Sequence, residues 1–247
     1  MKLLDKFREV AELRRGLGEI DPTGVVIEGL NSPTEGIIHG RPTILAGTNN
    51  YLGLTFDPEG IAAGRAALSN AGTGTTGSRM ANGTYAGHRA LEAELADFYG
   101  YPNAVVFSTG YAANVGSLAA LLGPGDAVLL DSDAHASLFD GCRLSPAKLF
   151  TFRHNDPASL DKRLGRLGEQ AGRTLVVIEG LYGVLGDRAP IGEIVEIKAR
   201  HGACLFVDEA HSMGVLGERG RGLAEEAGGG GEGGFLMGAC TKSPGSP

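Results

Sequence analysis

From about residue 100, short apolar runs alternate with amphipathic stretches along the chain. The runs are mostly apolar on both faces, which is typical of strands in a parallel sheet that is covered on both sides. Between the runs, apolar residues recur at helical spacing over Ala112 to Leu122, Pro157 to Leu167 and Ile191 to His201. This alternation predicts an α/β fold with a mostly parallel sheet and helices on both faces. The predicted strands are, in chain order, NAVVFS, DAVLLD, KLFTF, TLVVIEG, ACLFVDEA and GFLMGA.

Helical patterns dominate the first hundred residues. Apolar side chains that include Phe7, Val10 and Leu13 mark an amphipathic helix within the first twenty residues. The Ala-rich stretch PEGIAAGRAALSNAG has helical spacing too, and a further helix is predicted near residues 87–99. We therefore predict an N-terminal helix and extended segment over residues 1–45 and one large domain over residues 46–247. The last predicted strand is followed at once by the end of the chain, so we expect this domain to be incomplete at its C-terminus.

The glycine-rich stretch GTGTTGSRMANGT, residues 72–84, contains the pattern G-x-G-x-x-G of dinucleotide-binding turns. That function requires a strand before the glycines and a helix directly after them, so that the pyrophosphate meets a helix N-terminus. Here the preceding residues have helical spacing, and a further loop separates the glycines from the next helix. We therefore reject a nicotinamide-binding domain.

Charge and composition narrow the classes of partner. The net charge is -7 and lysine and arginine form no sustained run, which argues against nucleic acid. No apolar run reaches membrane-spanning length, and the N-terminus lacks the apolar core of a signal peptide. Cys142, Cys204 and Cys240 are scattered without metal-ligand spacing, so we expect no metal site and a reducing, cytoplasmic compartment.

Polar residues follow the predicted strands at the edge where ligands gather in parallel sheets. Gly110 and Tyr111 open a helix directly after NAVVFS, and a helix N-terminus of this kind suits a phosphate group. His135 lies just beyond the next strand. Taken singly, each of these residues has an ordinary structural explanation as a turn, a cap or a packing residue.

The last two predicted strands are followed by more reactive side chains. Asp208 ends one strand and His211 comes three residues later, while Thr241 and Lys242 follow the final strand. A pyridoxal phosphate (PLP) enzyme needs groups of these kinds. It needs a helix N-terminus and a hydroxyl for the phosphate, a carboxylate for the pyridine nitrogen, and an amine for the Schiff base. A flat ring also gains from an imidazole stacked on one face.

Seven stretches in the same order identify a family resemblance. They are SPTEGIIHGRPTILAGTNNYLGLTFDPE, GSRMANGTYAGHRALEAELADFYG, VFSTGYAANVG, DSDAHASLFDGC, HNDPASLDKRLGRL, EGLYGVLGDRAPI and VDEAHSMGVLGERGRG. Together they run to about residue 222 and resemble the α-oxoamine synthase family of fold-type-I PLP enzymes. The resemblance implies the large domain of a fold-type-I PLP-dependent transferase. It also implies that the family's C-terminal small domain, which supplies an arginine for the substrate carboxylate, is missing.

The resemblance implies catalytic and ring-binding roles. Lys242 matches the Schiff-base lysine and Asp208 matches the partner of the pyridine nitrogen. His211 matches the histidine that hydrogen-bonds the phenolic oxygen of the ring. His135 matches the histidine that stacks on the ring and helps to orient the amino-acid carboxylate.

Further positions match phosphate and substrate contacts. Gly110 and Tyr111 match the phosphate turn, and Thr241 matches a phosphate-binding hydroxyl. Asn50 matches a residue of the substrate pocket. The glycine-rich stretch at residues 72–84 resembles the loop beside the active site at the dimer interface, so the resemblance implies a homodimer. Its glycines would let two backbones approach each other.

The activity that the resemblance implies is the decarboxylative condensation of an amino acid with an acyl-CoA to a 3-oxo amine. SPTE, GSRMANGT and HNDPASLDKRL favour the branch that uses L-serine and palmitoyl-CoA in the first step of sphingolipid synthesis. The glycine C-acetyltransferase, 8-amino-7-oxononanoate synthase and 5-aminolevulinate synthase branches remain alternatives.

The stretch around the lysine departs from the family pattern. The family usually has G-T-F-S-K-S-L-G, whereas this chain has GACTKSPGS. Ala239 replaces a threonine that helps to hold the phosphate, and Pro244 stands where an apolar residue is usual. We therefore expect weak cofactor binding. Because the resemblance also implies that the C-terminal domain with the substrate-binding arginine is missing, we expect a weak or inactive chain. A non-catalytic partner subunit with the same fold is a further alternative, although the presence of Lys242 and Asp208 argues against it.

Overall fold

The computed structural model describes residues 2–18, 25–228 and 233–244. The chain divides into two compact units, Met1–Thr48 and Asn49–Pro247. The division that we predicted between residues 45 and 46 stays a prediction. None of the helices in the described ranges is long and apolar enough to cross a lipid bilayer.

Over its described residues, the first unit contains one helix, α1 (Lys2–Leu17), and a small antiparallel sheet. The sheet has the order β1 (Gly29–Ser32), β2 (Glu35–Ile38), β3 (Arg41–Ile44). Residues 39 and 40 connect β2 to β3 and both have positive φ, 51° and 68°. Two such residues form the tight turn that matches the twist of a hairpin.

The second unit is an α/β domain whose five strands are all parallel, in the order β5-β4-β6-β7-β8. Its strands are β4 (Ala127–Asp131), β5 (Lys148–Phe152), β6 (Thr174–Glu179), β7 (Cys204–Asp208) and β8 (Gly234–Met237). Its helices are α2 (Pro58–Ala71), α3 (Ala86–Tyr99), α4 (Gly110–Leu121), α5 (Ala136–Leu144), α6 (Pro157–Leu167), α7 (Ile191–His201) and α8 (Leu223–Glu226). Five of the six predicted strands are confirmed, and the predicted helices lie within two residues of the observed ones.

Helices cover both faces of this sheet. Alternate strand residues point to opposite faces, so each strand contributes to two separate cores. One core packs β-strand residues against α6, α7 and α8, and it contains Leu129, Val176, Ile178, Leu205, Leu160 and Ile194. The other packs them against α4 and α5, and it contains Val128, Leu130, Val177, Phe206, Leu118 and Leu138. The predicted layering is therefore confirmed.

The predicted strand NAVVFS, residues 103–108, is wrong: this segment pairs with no strand in the described part of the chain. One side of it is bonded by side chains, since Val106 N–H donates to Glu92 (3.1 Å) and Arg79 donates to the Val106 carbonyl (3.3 Å). Its other side faces a cavity of about 720 Å³ whose far wall includes β8. The apolar pattern indicated burial, but a strand also needs a partner at about 4.8 Å, and here the cavity separates the two edges.

The glycine-rich segment, residues 72–84, is a loop between helices α2 and α3, which agrees with the rejection of a dinucleotide-binding turn. Gly77 and Gly83 face each other across the loop, and a Cβ on Gly83 would overlap the Gly77 carbonyl. Glycine is therefore required here by close backbone approach. The Arg79–Glu92 ion pair (2.6 Å) ties the loop to α3. That this loop lies at a dimer interface stays a prediction.

Candidate active site

The candidate site lies at the carboxyl edge of the parallel sheet. Asp208 ends β7 and Glu179 ends β6, and these two residues are in register. His135 follows β4 and caps the N-terminus of α5. Lys242 follows β8, and its charge influences the pKa values of both Asp208 and Glu179. The structure thus brings together groups that are separated by up to 107 residues in the sequence.

Asp208 is a buried carboxylate, only 4% exposed, with a specific set of donors. Its Oδ2 accepts from the Asn114 side-chain amide (2.7 Å), and its Oδ1 accepts from the Ala210 N–H (2.9 Å). Burial raises the pKa of Asp208, while these bonds and the positive charge of Lys242 oppose that rise. A buried carboxylate in this setting favours a cationic N–H partner, because such a partner keeps it ionised.

His135 is joined to Asp208 by a chain of hydrogen bonds. Its Nδ1 lies 2.7 Å from the Ser137 hydroxyl and accepts from the Ser137 N–H (3.3 Å). Asn114 donates to the same hydroxyl (2.9 Å) as well as to Asp208. Because Nδ1 is an acceptor, this pattern assigns the ring proton of neutral His135 to Nε2. The exposed imidazole is therefore held with an N–H available to the site.

Lys242 is a partly buried amine beside two carboxylates. Burial lowers its pKa overall, and the negative charges of Asp208 and Glu179 partly offset this effect. A lysine with a lowered pKa has a larger neutral fraction near pH 7, and the neutral amine is the nucleophilic form. The surroundings of Lys242 therefore suit Schiff-base chemistry.

His211 contacts Tyr51 and Gly183. The Tyr51 hydroxyl lies 2.6 Å from His211 Nδ1. The imidazole fills the space that a side chain at Gly183 would occupy, since a Cβ there would overlap it. Burial, together with the nearby charges of Lys242 and His135, lowers the pKa of His211 to about 4. The ring is therefore neutral at physiological pH.

The residues predicted to bind phosphate lie around the first turn of α4. Thr109 caps this helix by accepting from the Ala112 N–H (3.0 Å), and Gly110 is its first residue. A Cβ on Gly110 would lie 3.6 Å from the Ala239 methyl group, so the segment after β8 approaches the helix N-terminus. Thr241 is exposed two residues further along that segment.

Two other predicted residues are engaged elsewhere. The Tyr111 hydroxyl donates to Asp140 (2.7 Å), and the residue is half exposed. Asn50 donates to the Thr55 hydroxyl (2.9 Å), and its neighbour Tyr51 reaches His211. The ligand contacts that the sequence implied for Tyr111 and Asn50 stay predictions, as do the roles of the other site residues.

Sequence reasoning missed four polar residues that hold the site. Asn114 and Ser137 link His135 to Asp208, and Glu179 binds the backbone of His135. Glu209 is fully buried and accepts from the N–H groups of residues 223 (3.1 Å) and 224 (2.6 Å), and so caps α8. The sequence held one signal for these residues. Each is a polar residue within a helix or at a strand end that is otherwise apolar.

Residues 41–247 match the family described as aminotransferase class I and II. The chain is 52% identical to a serine palmitoyltransferase of Caulobacter vibrioides over its whole length and spans 61% of that relative. It is 41% identical over 90% of its length to an 8-amino-7-oxononanoate synthase of Mycolicibacterium gilvum, of which it spans 53%. A serine palmitoyltransferase variant from S. paucimobilis, solved with a bound PLP–myriocin aldimine, superimposes with a TM-score of 0.94. It is 49% identical, and the match covers 99% of this chain and 62% of the other.

The family resemblance inferred from sequence motifs is confirmed by these relatives, and so is the fold-type-I PLP transferase fold. The chain spans about 60% of the length of the serine palmitoyltransferases that it matches. The chain belongs to the aminotransferase class I and II family.

Proposed function

We propose that this protein is a PLP-dependent acyltransferase that condenses L-serine with a long-chain acyl-CoA, palmitoyl-CoA above all, to a 3-oxo amine. Its similarity to serine palmitoyltransferases supports the reaction class. The observation that carries the proposal is the juxtaposition of a buried carboxylate, Asp208, with the lowered-pKa amine of Lys242 at one sheet edge. As a product of this reaction, a 3-oxo amine would begin sphingolipid synthesis.

The donor set of the site fits PLP. The two groups seen to donate hydrogen bonds to Asp208, the Asn114 amide and the Ala210 N–H, are neutral, and a protonated pyridine nitrogen would add a charged donor. The N-terminus of α4 at Gly110 suits the phosphate. Thr241 follows two residues after Ala239, whose methyl group approaches Gly110. Lys242 would bind the aldehyde carbon covalently. When bound, PLP supplies an electron sink that stabilises negative charge on the amino-acid Cα.

The chain's own residues then carry the proton chemistry. The Lys242 amine, when it is not bound covalently, would be the base that takes the proton from the amino-acid Cα. Asp208, kept in place by Asn114, would hold the pyridine nitrogen and favour its protonated form. The Nε2–H of His135 is available to orient the substrate carboxylate, and neutral His211 can donate or accept one hydrogen bond.

Adding PLP to the purified chain tests the proposal. We expect a visible absorption band from covalent attachment of PLP to a lysine, and we expect Lys242→Ala to abolish that band and all turnover. Lys162→Ala, on the exposed face of α6, is the matched control and should keep the band. A band that persists in Lys242→Ala would assign the attachment to another residue and contradict the proposal. An absent band in the unsubstituted chain would favour a non-catalytic partner subunit.

Another branch of the α-oxoamine synthases is the second candidate, because 8-amino-7-oxononanoate synthases are among the relatives. The glycine C-acetyltransferase and 5-aminolevulinate synthase branches use the same catalytic groups. Coenzyme A release, measured with L-serine, L-alanine or glycine against acyl-CoAs of increasing chain length, separates these activities. Coenzyme A release that occurs with L-serine and palmitoyl-CoA, and with no other pair, supports the primary proposal.

We further propose that the protein is a cytoplasmic homodimer with its active site at the interface. Exposed Met80 and Tyr85 lie on and beside the glycine-rich loop, and exposed large side chains of this kind suit an interface. The three cysteines are free, as is usual in a reducing compartment. Light scattering after gel filtration would show a mass of twice 25.5 kDa for a dimer of this chain.

A further inference from the structure

Glu179 is a buried carboxylate that the mechanism above does not use. It is the last residue of β6, a central strand of the sheet, and is 5% exposed. Asp208 is its register partner on β7, so two carboxylates lie side by side at the same edge. Two adjacent buried carboxylates are electrostatically unfavourable, and their presence requires compensating contacts.

The contacts of Glu179 join two loops of the site. Its Oε1 accepts from the backbone N–H of His135 at 2.6 Å, and the backbone N–H of Gly183 is close enough to oppose the rise in the pKa of this carboxyl group. His135 belongs to the loop after β4, and Gly183 belongs to the turn after β6. One side chain on a rigid strand therefore holds both segments.

Each of these segments places an imidazole. The backbone bond to His135 complements the bond from Ser137 to its ring, so that histidine is held at both ends. Gly183 is in van der Waals contact with the ring of His211, because that ring occupies the position of a missing Cβ. A displacement of the turn at Gly183 therefore changes where the His211 ring lies.

Four groups around Glu179 carry or can carry charge: Asp208, Lys242, His135 and Tyr182. Burial and the charge of Asp208 raise the pKa of Glu179 to about 7, although the two N–H bonds and Lys242 oppose the rise. Its negative charge in turn raises the pKa of Lys242. Glu179 thus influences the amine as well as both loops.

We propose that Glu179 is a positioning residue that holds His135 and Gly183 by their backbone N–H groups and thereby places the two imidazoles of the site beside Lys242. This inference rests on the proposed function for its consequence in catalysis. The contacts themselves concern only residues of this chain.

Two substitutions at position 179 distinguish the effect of the hydrogen bonds of Glu179 from the effect of its negative charge. Glu179→Gln keeps the shape and one acceptor oxygen but places an NH₂ donor against the second N–H and removes the charge. Glu179→Ala removes the carboxylate, and with it the bond to His135 and the contact with the Gly183 N–H. Glu193→Gln, on the exposed surface of α7, is the matched control. Because glutamine is isosteric with glutamate, Glu179→Gln keeps the test informative if the alanine variant fails to fold.

The first readout is independent of PLP. In chain labelled with ¹⁵N-histidine, we expect the ring signals of His135 and His211 to shift in Glu179→Gln and to stay unchanged in Glu193→Gln. The second readout is the pH at which PLP attachment to Lys242 is half maximal. Loss of a neighbouring negative charge should lower this pH by about half a unit to one unit, a change that a purely structural role would not produce.

We also expect the affinity for PLP to fall about tenfold in Glu179→Ala, since hydrogen bonds to a charged group are lost, and to fall less in Glu179→Gln. Unchanged histidine signals together with an unchanged pH midpoint in Glu179→Gln would overturn the inference. If the unsubstituted chain shows no PLP band, the proposed function fails, and the histidine signals still decide the role of Glu179.

Discussion

Ala239 lies where the segment after β8 meets the first turn of α4. It is buried, and its methyl group is the nearest neighbour of a Cβ built on Gly110. A hydroxyl at this position would lie at a helix N-terminus, where hydrogen-bond donors and the helix dipole favour an anion. Alanine offers no hydroxyl to such an anion at this position.

We predict that Ala239→Thr strengthens PLP binding. One added hydrogen bond to a charged phosphate corresponds to about a tenfold gain in affinity. The measurement is a titration of the chain with PLP, followed by visible absorbance. Ala239→Val is the matched control, because valine has the shape of threonine without its hydroxyl. Equal affinities for the two variants would contradict a role for the hydroxyl.

For individual residues, the sequence predicted the side chains that follow strand ends. It did not predict the polar side chains that hydrogen-bond to them. Asp208, Lys242 and His135 were predicted because parallel strands gather their carboxyl ends at one edge. Asn114 and Glu179 were not predicted, because they lie within a helix and a strand. Their contacts cross 94 and 44 residues of sequence.

At the level of secondary-structure elements, one imidazole hydrogen-bonds two carboxylates and so connects the segments that follow three strands. His154, after β5, bonds Asp131 at the end of β4 through Nδ1 and Asp187 in the turn after β6 through Nε2, each at 2.8 Å. Asn155 adds bonds to both carboxylates, at 3.0 Å and 2.7 Å. This clamp fixes the turn that carries Gly183.

We predict that the His154 clamp makes stability depend on pH. Burial alone would lower the pKa of His154, but the bonds and charges of Asp131 and Asp187 outweigh it and raise the pKa. A histidine whose pKa is higher in the folded state stabilises the fold fully below its unfolded pKa of about 6.5. That contribution is lost as the pH rises through the folded pKa.

Urea unfolding at several pH values between about 5.5 and 9 tests this prediction. The stability difference between the unsubstituted chain and His154→Gln should be largest at the acidic end and should shrink as the pH rises. His39→Asn, at the exposed β2–β3 turn, is the control and should leave the pH dependence unchanged. A stability difference that does not vary with pH would contradict the charged clamp.

Helices whose formation depends on local apolar spacing could be predicted from the sequence. A strand whose formation depends on a pairing partner far away in the sequence could not. The helices α6 and α7 agree with the predicted bounds, because their apolar spacing and their flanking residues are local signals. The segment 103–108 has a strand-like sequence, yet its pairing is decided by chain that is remote in sequence. Glu92 and Arg79 supply its bonds instead.

For the whole molecule, the cavity beside β8 is the largest departure from the predicted sheet. β8 bonds to β7 on one side and to no strand on the other within the described residues. Phe235 of β8 and Phe107 of the opposite wall both line the cavity. An open edge next to apolar side chains is a surface on which strands of other molecules can pair.

We predict that this edge causes the chain to associate as its concentration rises. Phe235→Lys should reduce the associated fraction several-fold, because a charge at an open edge opposes strand pairing. Light scattering over a concentration series is the measurement. Val184→Lys, at a fully exposed position away from β8, controls for added charge. If both variants associate as the unsubstituted chain does, the edge is not responsible.

The same cavity affects how the folding of this chain can be monitored. Environment-sensitive dyes such as ANS fluoresce in apolar clefts and are usually taken to report loosened, partly unfolded states. A space of about 720 Å³ with phenylalanine on both walls offers them a site in the native fold. Strong dye fluorescence before any heating would then be a property of the folded chain, and melting curves should be recorded by circular dichroism instead.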